Sequence, residues 1–208
     1  MRNRSKLLIA AITATALLGM AVNAASARNI EIVNWEKGFR ITWNPLRLAA
    51  AGREAACPVT VEGSFSAHTF AKRVGTGVAR ITGLSIGTCT RNTATALRET
   101  LPWEVQYSSF SGTLPVIRTI SFNVIRASFR ANLEGIECLA AARGEQPVGG
   151  IATAETGGAI TGFRMDETRG IETAGGFFCS IGGRAGFSGE ANSITVRGGT
   201  EAMSVRLI

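Results

Sequence analysis

Apolar side chains return at every second position along much of this chain, a spacing that suits a pleated strand with one face buried and the other in water. Phe39, Ile41 and Trp43 alternate with Arg40 and Thr42; Cys57, Val59 and Val61 alternate with Pro58, Thr60 and Glu62; Trp103, Val105 and Tyr107 alternate with Glu104, Gln106 and Ser108. The same period holds for Ile120, Phe122 and Val124, for Ile136 and Cys138, for Ile194 and Val196, and for Met203, Val205 and Leu207. Sheets with one wet face are mostly antiparallel. The chain is therefore predicted to be all-β, a mostly antiparallel sandwich or Greek-key barrel. The Ala-rich stretch Leu46 to Ala56 and the stretch His68 to Val74 come nearest to helices, and neither has enough apolar repeats to make one.

Between Val116 and Arg130 the pattern changes phase: apolar residues fall on even numbers through Val124, whereas Ala127 and Phe129 are odd. A bulge or turn near Ile125 restores inward packing. Glycine marks the turns, with the pairs Gly149-Gly150, Gly157-Gly158, Gly175-Gly176, Gly182-Gly183 and Gly198-Gly199 placed to separate short strands in a meander. Gly198-Gly199, between Ile194-Thr195-Val196 and the last strand, reads as the clearest hairpin.

The first 27 residues read as an export leader: basic Arg2, Arg4 and Lys6, an apolar run from Leu7 to Met20, then small residues allowing a cut after Ala24 or, as preferred, after Ala27. The run is short for a bilayer-spanning helix. No later apolar run approaches that length, so no transmembrane segment is expected after processing. Residues 28–208 form one predicted secreted domain, in which the cysteines hint at two halves, 28–101 and 102–208. Loss of the leader lowers the formal charge from +7 to +4, because it carries three bases and no acid. The remaining bases are scattered, and nucleic acid is not an expected partner.

Cys57, Cys89, Cys138 and Cys179 are widely spaced, with no Cys-x-x-Cys pair and a single histidine, His68, so no metal site is expected. An even number of cysteines in an exported chain predicts two disulfides. Of three pairings, Cys57 with Cys89 and Cys138 with Cys179 is favoured.

The order Cys57…Cys89, Leu101-Pro102-Trp103-Glu104-Val105, Ser111-Gly112-Thr113, Cys138…Cys179 and Phe187-Ser188-Gly189 resembles a group of small exported actinobacterial proteins of unknown function, over residues 57 to 197. The resemblance implies export, two disulfides and β structure, and it brings no catalytic or binding residues.

Chemistry is sparse. A serine triad would have His68 as its base, in Ser66-Ala67-His68-Thr69-Phe70, with no Gly-x-Ser-x-Gly elbow anywhere. Paired carboxylates, as in glycoside cleavage, would come from Glu99 and Glu104, which flank Leu101-Pro102-Trp103; Glu134 and Glu137, or Asp166-Glu167, are other pairs. On a two-residue period, however, Trp103 and Glu104 face opposite ways. The run Gly182-Gly183-Arg184-Ala185-Gly186 lacks the Gly-Lys-Ser/Thr ending of a phosphate loop, and no cofactor is expected. Trp35, Trp43 and Trp103 remain as candidate binding residues. The leading functional expectation is a secreted, non-catalytic β module that binds an envelope component or another protein through a sheet face or loops. The alternative is a secreted hydrolase working through paired carboxylates. A small outer-membrane barrel fits the alternation, but the single tyrosine and the four cysteines suit it poorly.

Overall fold

A computed structural model describes residues 29–50, 52–113, 116–166, 171–175, 179 and 184–208. Residues 1–27, expected to be an export leader, the pair Gly182-Gly183, and Glu167 and Gly176 lie outside the described residues. The strands are β1 (Asn29–Ile32), β2 (Phe39–Ala50), β3 (Arg53–Phe65), β4 (Thr69–Ala71), β5 (Gly77–Ile86), β6 (Thr93–Ala96), β7 (Trp103–Ser111) and β8 (Thr119–Ile125). They continue with β9 (Ser128–Leu133), β10 (Ile136–Ala141), β11 (Val148–Ala154), β12 (Ile160–Asp166), β13 (Ile171–Gly175), β14 (Arg184–Glu190), β15 (Ser193–Val196) and β16 (Val205–Leu207).

The expected all-β, antiparallel architecture is present, and it is a barrel. Strands β2, β3, β5, β7, β8, β11, β12 and β14 pair in that order, and β14 pairs back onto β2 to close an eight-stranded ring. Inside β2 the register shifts between Trp43 and Leu46, at Asn44-Pro45, where proline has no N–H to give to a ladder. The strand changes partner there: Phe39 to Thr42 pair with β15, and Arg47 to Ala50 pair with β14. The ring runs unbroken across Leu101-Pro102-Trp103, because β5 pairs with β7. The Ala-rich stretch is a hairpin of β2 and β3, with its apolar residues alternating inward.

A three-stranded sheet covers one end and an extension of the barrel sheet covers the other. At one end β1 lies between β16 and β4 and presents Ile30 and Ile32 to the core together with Phe70 and Val205. At the other, β13, β10, β9 and β6 continue from β14, and Phe129 of β9 packs against Phe187 of β14 with ring centroids 4.7 Å apart. The phase change before Phe129 is a turn, with Arg126 at φ 69°.

Two glycine pairs differ from the meander expectation. Gly149-Gly150 sits within β11, not in a turn. A Cβ on Gly150 would lie 2.6 Å from Phe163 Cζ of β12, so the missing side chain makes room for that ring. Gly198-Gly199 does make a tight turn, with Gly199 N–H donating to Val196 C=O. The strands on either side nevertheless do not pair with each other: β15 joins β2, whereas β16 crosses to β1 in the end cap. Gly157-Gly158 is a turn as expected, between β11 and β12. At Gly158 (φ +90°) a Cβ would sit 1.9 Å from Val205 C=O, so glycine is what lets the C-terminal segment lie against this turn.

The disulfides are Cys57–Cys89 and Cys138–Cys179. With sequence separations of 32 and 41, each is worth about 3 to 4 kcal/mol in the chain-entropy model.

Candidate functional site

Closing eight strands leaves an interior just wide enough for side chains or one small ligand. In this barrel the side chains do not quite fill it. A cavity of ≈110 Å³ runs through the interior, and every residue lining it is aliphatic, aromatic or methionine, among them Ile41, Trp43, Val61, Ile120, Ala152 and Phe187. It inherits this character from the alternation in the strands: the inward positions of β2, β3 and β8 are apolar, while Arg40, Thr60, Glu62, Arg80 and Glu104 face outward. Apolar inside and charged outside is the reverse of the pattern by which strands span a bilayer. Among the described residues, no helix is long and apolar enough to cross a membrane.

The three tryptophans separate into two places. Trp43 on β2 and Trp103 on β7 are 2% and 4% exposed and both line the cavity. They belong to the interior and offer no outer platform. Trp103 Nε1–H donates to Thr100 Oγ1 at 2.7 Å. The Nε1–H of Trp43 is buried without a hydrogen-bond partner. Trp35 lies apart from both, half-buried, with its ring stacked on that of His68 at 6.0 Å.

Glu99 is exposed in a short turn, and Glu104 is half-buried on the outer side of β7, where it accepts from Gln106 Nε2 at 3.1 Å. Neither lines the interior cavity, and neither lines an outer groove that runs past Arg40, Thr42, Thr60, Glu62, Ser85 and Arg98. Among the described residues, no three His, Cys, Asp or Glu side chains converge.

The end cap holds a charge cluster that the alternation did not reveal. Glu31, between Ile30 and Ile32, has the position of a wet-face residue, yet it is only 5% exposed. Arg206, its cross-strand partner on β16, donates to both carboxylate oxygens, and His68 Nε2 lies 2.8 Å from Oε1. The Arg206 guanidinium holds the Glu31 carboxyl below the usual carboxylate range against the opposing effect of burial, with His68 adding to the shift. The only signal in the sequence is the pairing itself, an acid in the first strand against a base in the last. Pairing across that distance cannot be read from local pattern.

No family model, curated protein or solved structure matches the chain.

Proposed function

We propose that the chain is an exported, non-catalytic β-barrel module that holds a small, neutral, apolar molecule inside its barrel. The observation that carries this reading is the interior cavity of ≈110 Å³ with a wholly apolar lining. A dry cavity of about 150 Å³ with such a lining takes up benzene or xenon, so the interior here suits a molecule of roughly that class. Among the lining side chains no group can transfer a proton or act as a nucleophile, which favours binding over turnover. A charged ligand would meet no counter-charge there and would lose its hydration.

Export rests on the leader-like residues 1–27 and on two disulfides of the kind that persist in oxidising compartments, and the resemblance to small exported actinobacterial proteins belongs to the same reading. The envelope component expected as a partner narrows, on this view, to an apolar molecule small enough to enter. A second reading, contact with an envelope saccharide or protein through the outer groove, draws on the hydroxyls of Thr42, Thr60, Thr82 and Ser85 that line it.

The test is a titration of the oxidised protein with benzene, followed by methyl NMR. Saturable shifts confined to methyls such as those of Ile41, Val61 and Ile120, lost when the cavity is filled by Ala152→Leu, support interior binding. Absence of saturable shifts, or identical shifts in the filled variant, contradicts it.

A further inference from the structure

The outer face of the barrel carries a row of hydroxyls assembled by strand register. Ser193 of β15 stands opposite Thr42 of β2, Thr42 opposite Thr60 of β3, and Thr60 opposite Ser85 of β5. Directly paired residues share a face and neighbouring strands lie about 4.8 Å apart, so the row crosses the sheet with one hydroxyl per strand. Thr42 and Thr60 are joined through their hydroxyls at 3.3 Å. The adjacent row holds Arg40, Glu62 and Gly83, and Gly83 raises no side chain over the floor of the groove. A Cβ there would make ordinary contact with Glu62 Cβ, at 3.4 Å, so the position is open rather than crowded. The ladder between β5 and β7 ends at Ile81 and Trp103. Arg98 and Leu101, from the turn that leads into β7, border the groove.

The lining decides what this groove can hold. It offers the hydroxyls of Thr42, Thr60, Thr82 and Ser85, which both donate and accept, together with Leu84, Leu101 and three charged groups. Of the two arginines, Arg40 is already matched, its Nε donating to Glu62 at 2.7 Å. Arg98 is exposed and has no ion-pair partner among the described residues, so the lining carries one uncompensated positive charge. We propose that the outer groove binds an acidic saccharide, a sugar chain laid along the hydroxyl row with a carboxylate on Arg98. This inference rests on the outer-groove reading and is independent of the interior cavity. Sugar hydroxyls exchange hydrogen bonds with the threonines and Ser85, and a carboxylate matches the paired N–H groups of a guanidinium. A peptide strand cannot add to β3, whose two edges are taken by β2 and β5. A nucleic acid, charged at every phosphate, would need more than one uncompensated base.

The experiment compares a trisaccharide of galacturonic acid with its methyl ester, which keeps the rings and hydroxyls but not the charge. Each is titrated into the purified protein with both disulfides formed, and backbone amide resonances are followed by NMR. The expected result is saturable shifts at Thr42, Thr60, Gly83 and Ser85 with both probes, the acid binding about fivefold more tightly than the ester. Arg98→Gln should erase that preference while leaving the ester's affinity unchanged. Gly83→Val, whose branched side chain suits a strand and fills the floor, should abolish binding of both. If acid and ester bind equally at these amides in wild type, the acidic class is overturned and the outer-groove reading stands. A preference that survives Arg98→Gln overturns the role given to that residue. If neither probe moves these amides, both the inference and the outer-groove reading fall. The wild-type comparison needs no variant, so a failure of Gly83→Val to fold leaves the test intact.

Discussion

At one end of the barrel, β1, β4 and β16 are held by backbone hydrogen bonds and by the Glu31, Arg206 and His68 cluster. At the other, Cys57–Cys89 ties the segment leading to β6 back to β3, and Cys138–Cys179 ties β10 to the segment between β13 and β14. Both covers bury apolar side chains against the same core, so burial alone does not distinguish them. What differs is that one cover is covalently fixed and the other is held by interactions that protonation can weaken. The end without a covalent tie is where exchange between the cavity and solvent is expected.

The largest effect should come from the fixed end. Replacing both cysteines of either disulfide with alanine is expected to lower stability by about 3 to 4 kcal/mol, read as a fall in the thermal midpoint. Added reductant, which opens both bridges, should lower the wild-type midpoint further than either double variant alone, and should affect each double variant less than wild type. At the other end, Gly158→Ala should remove about 2 kcal/mol, because the new Cβ meets Val205 C=O at a left-handed backbone position. Gly198→Ala, also left-handed but with open space around it, should remove only about 1 kcal/mol. Equal losses for the two glycines would mean that the C-terminal segment does not rest on the β11–β12 turn.

Acid should separate the two ends. Glu31 has a depressed carboxyl in the folded cap, so its contribution to stability is complete above the unfolded-state value of about 4.3. It is lost as the pH falls from there through the lower folded-state value. Hydrogen exchange should show the amides of Ile32 and Val33, bonded to His68 and Ser204, opening more readily below about pH 4, ahead of the amides that pair β9 with β10. Glu31→Gln should flatten that dependence. The smallest effect belongs to the exposed Lys37–Glu201 pair, 2.6 Å apart, where Lys37→Ala should change stability by less than about 1 kcal/mol.

Much of the barrel is legible locally. The alternations around Trp43, Val59, Tyr107 and Val124 become strands whose inward residues build the core, and the expected disulfide pairs form. Ring closure is not legible, because the pairing of β14 with β2 joins residues far apart in sequence and no local signal carries it. The roles of particular residues are hidden for the same reason. Gly149-Gly150 has the composition of a turn, and only Phe163 on the neighbouring strand explains it. Trp43 stands out in the sequence as a candidate binding residue, but its burial in the barrel wall depends on which strands pair beside it. The cavity is a small difference between ring size and summed side-chain volume, a quantity absent from any window of sequence.

If the barrel interior is dry space ready for an apolar guest, a crystal pressurised with xenon will reveal it. Xenon density is expected inside the barrel in contact with Trp43, Ile120 and Ala152. A xenon-free interior filled by repacked side chains, or one occupied by ordered water, would contradict it.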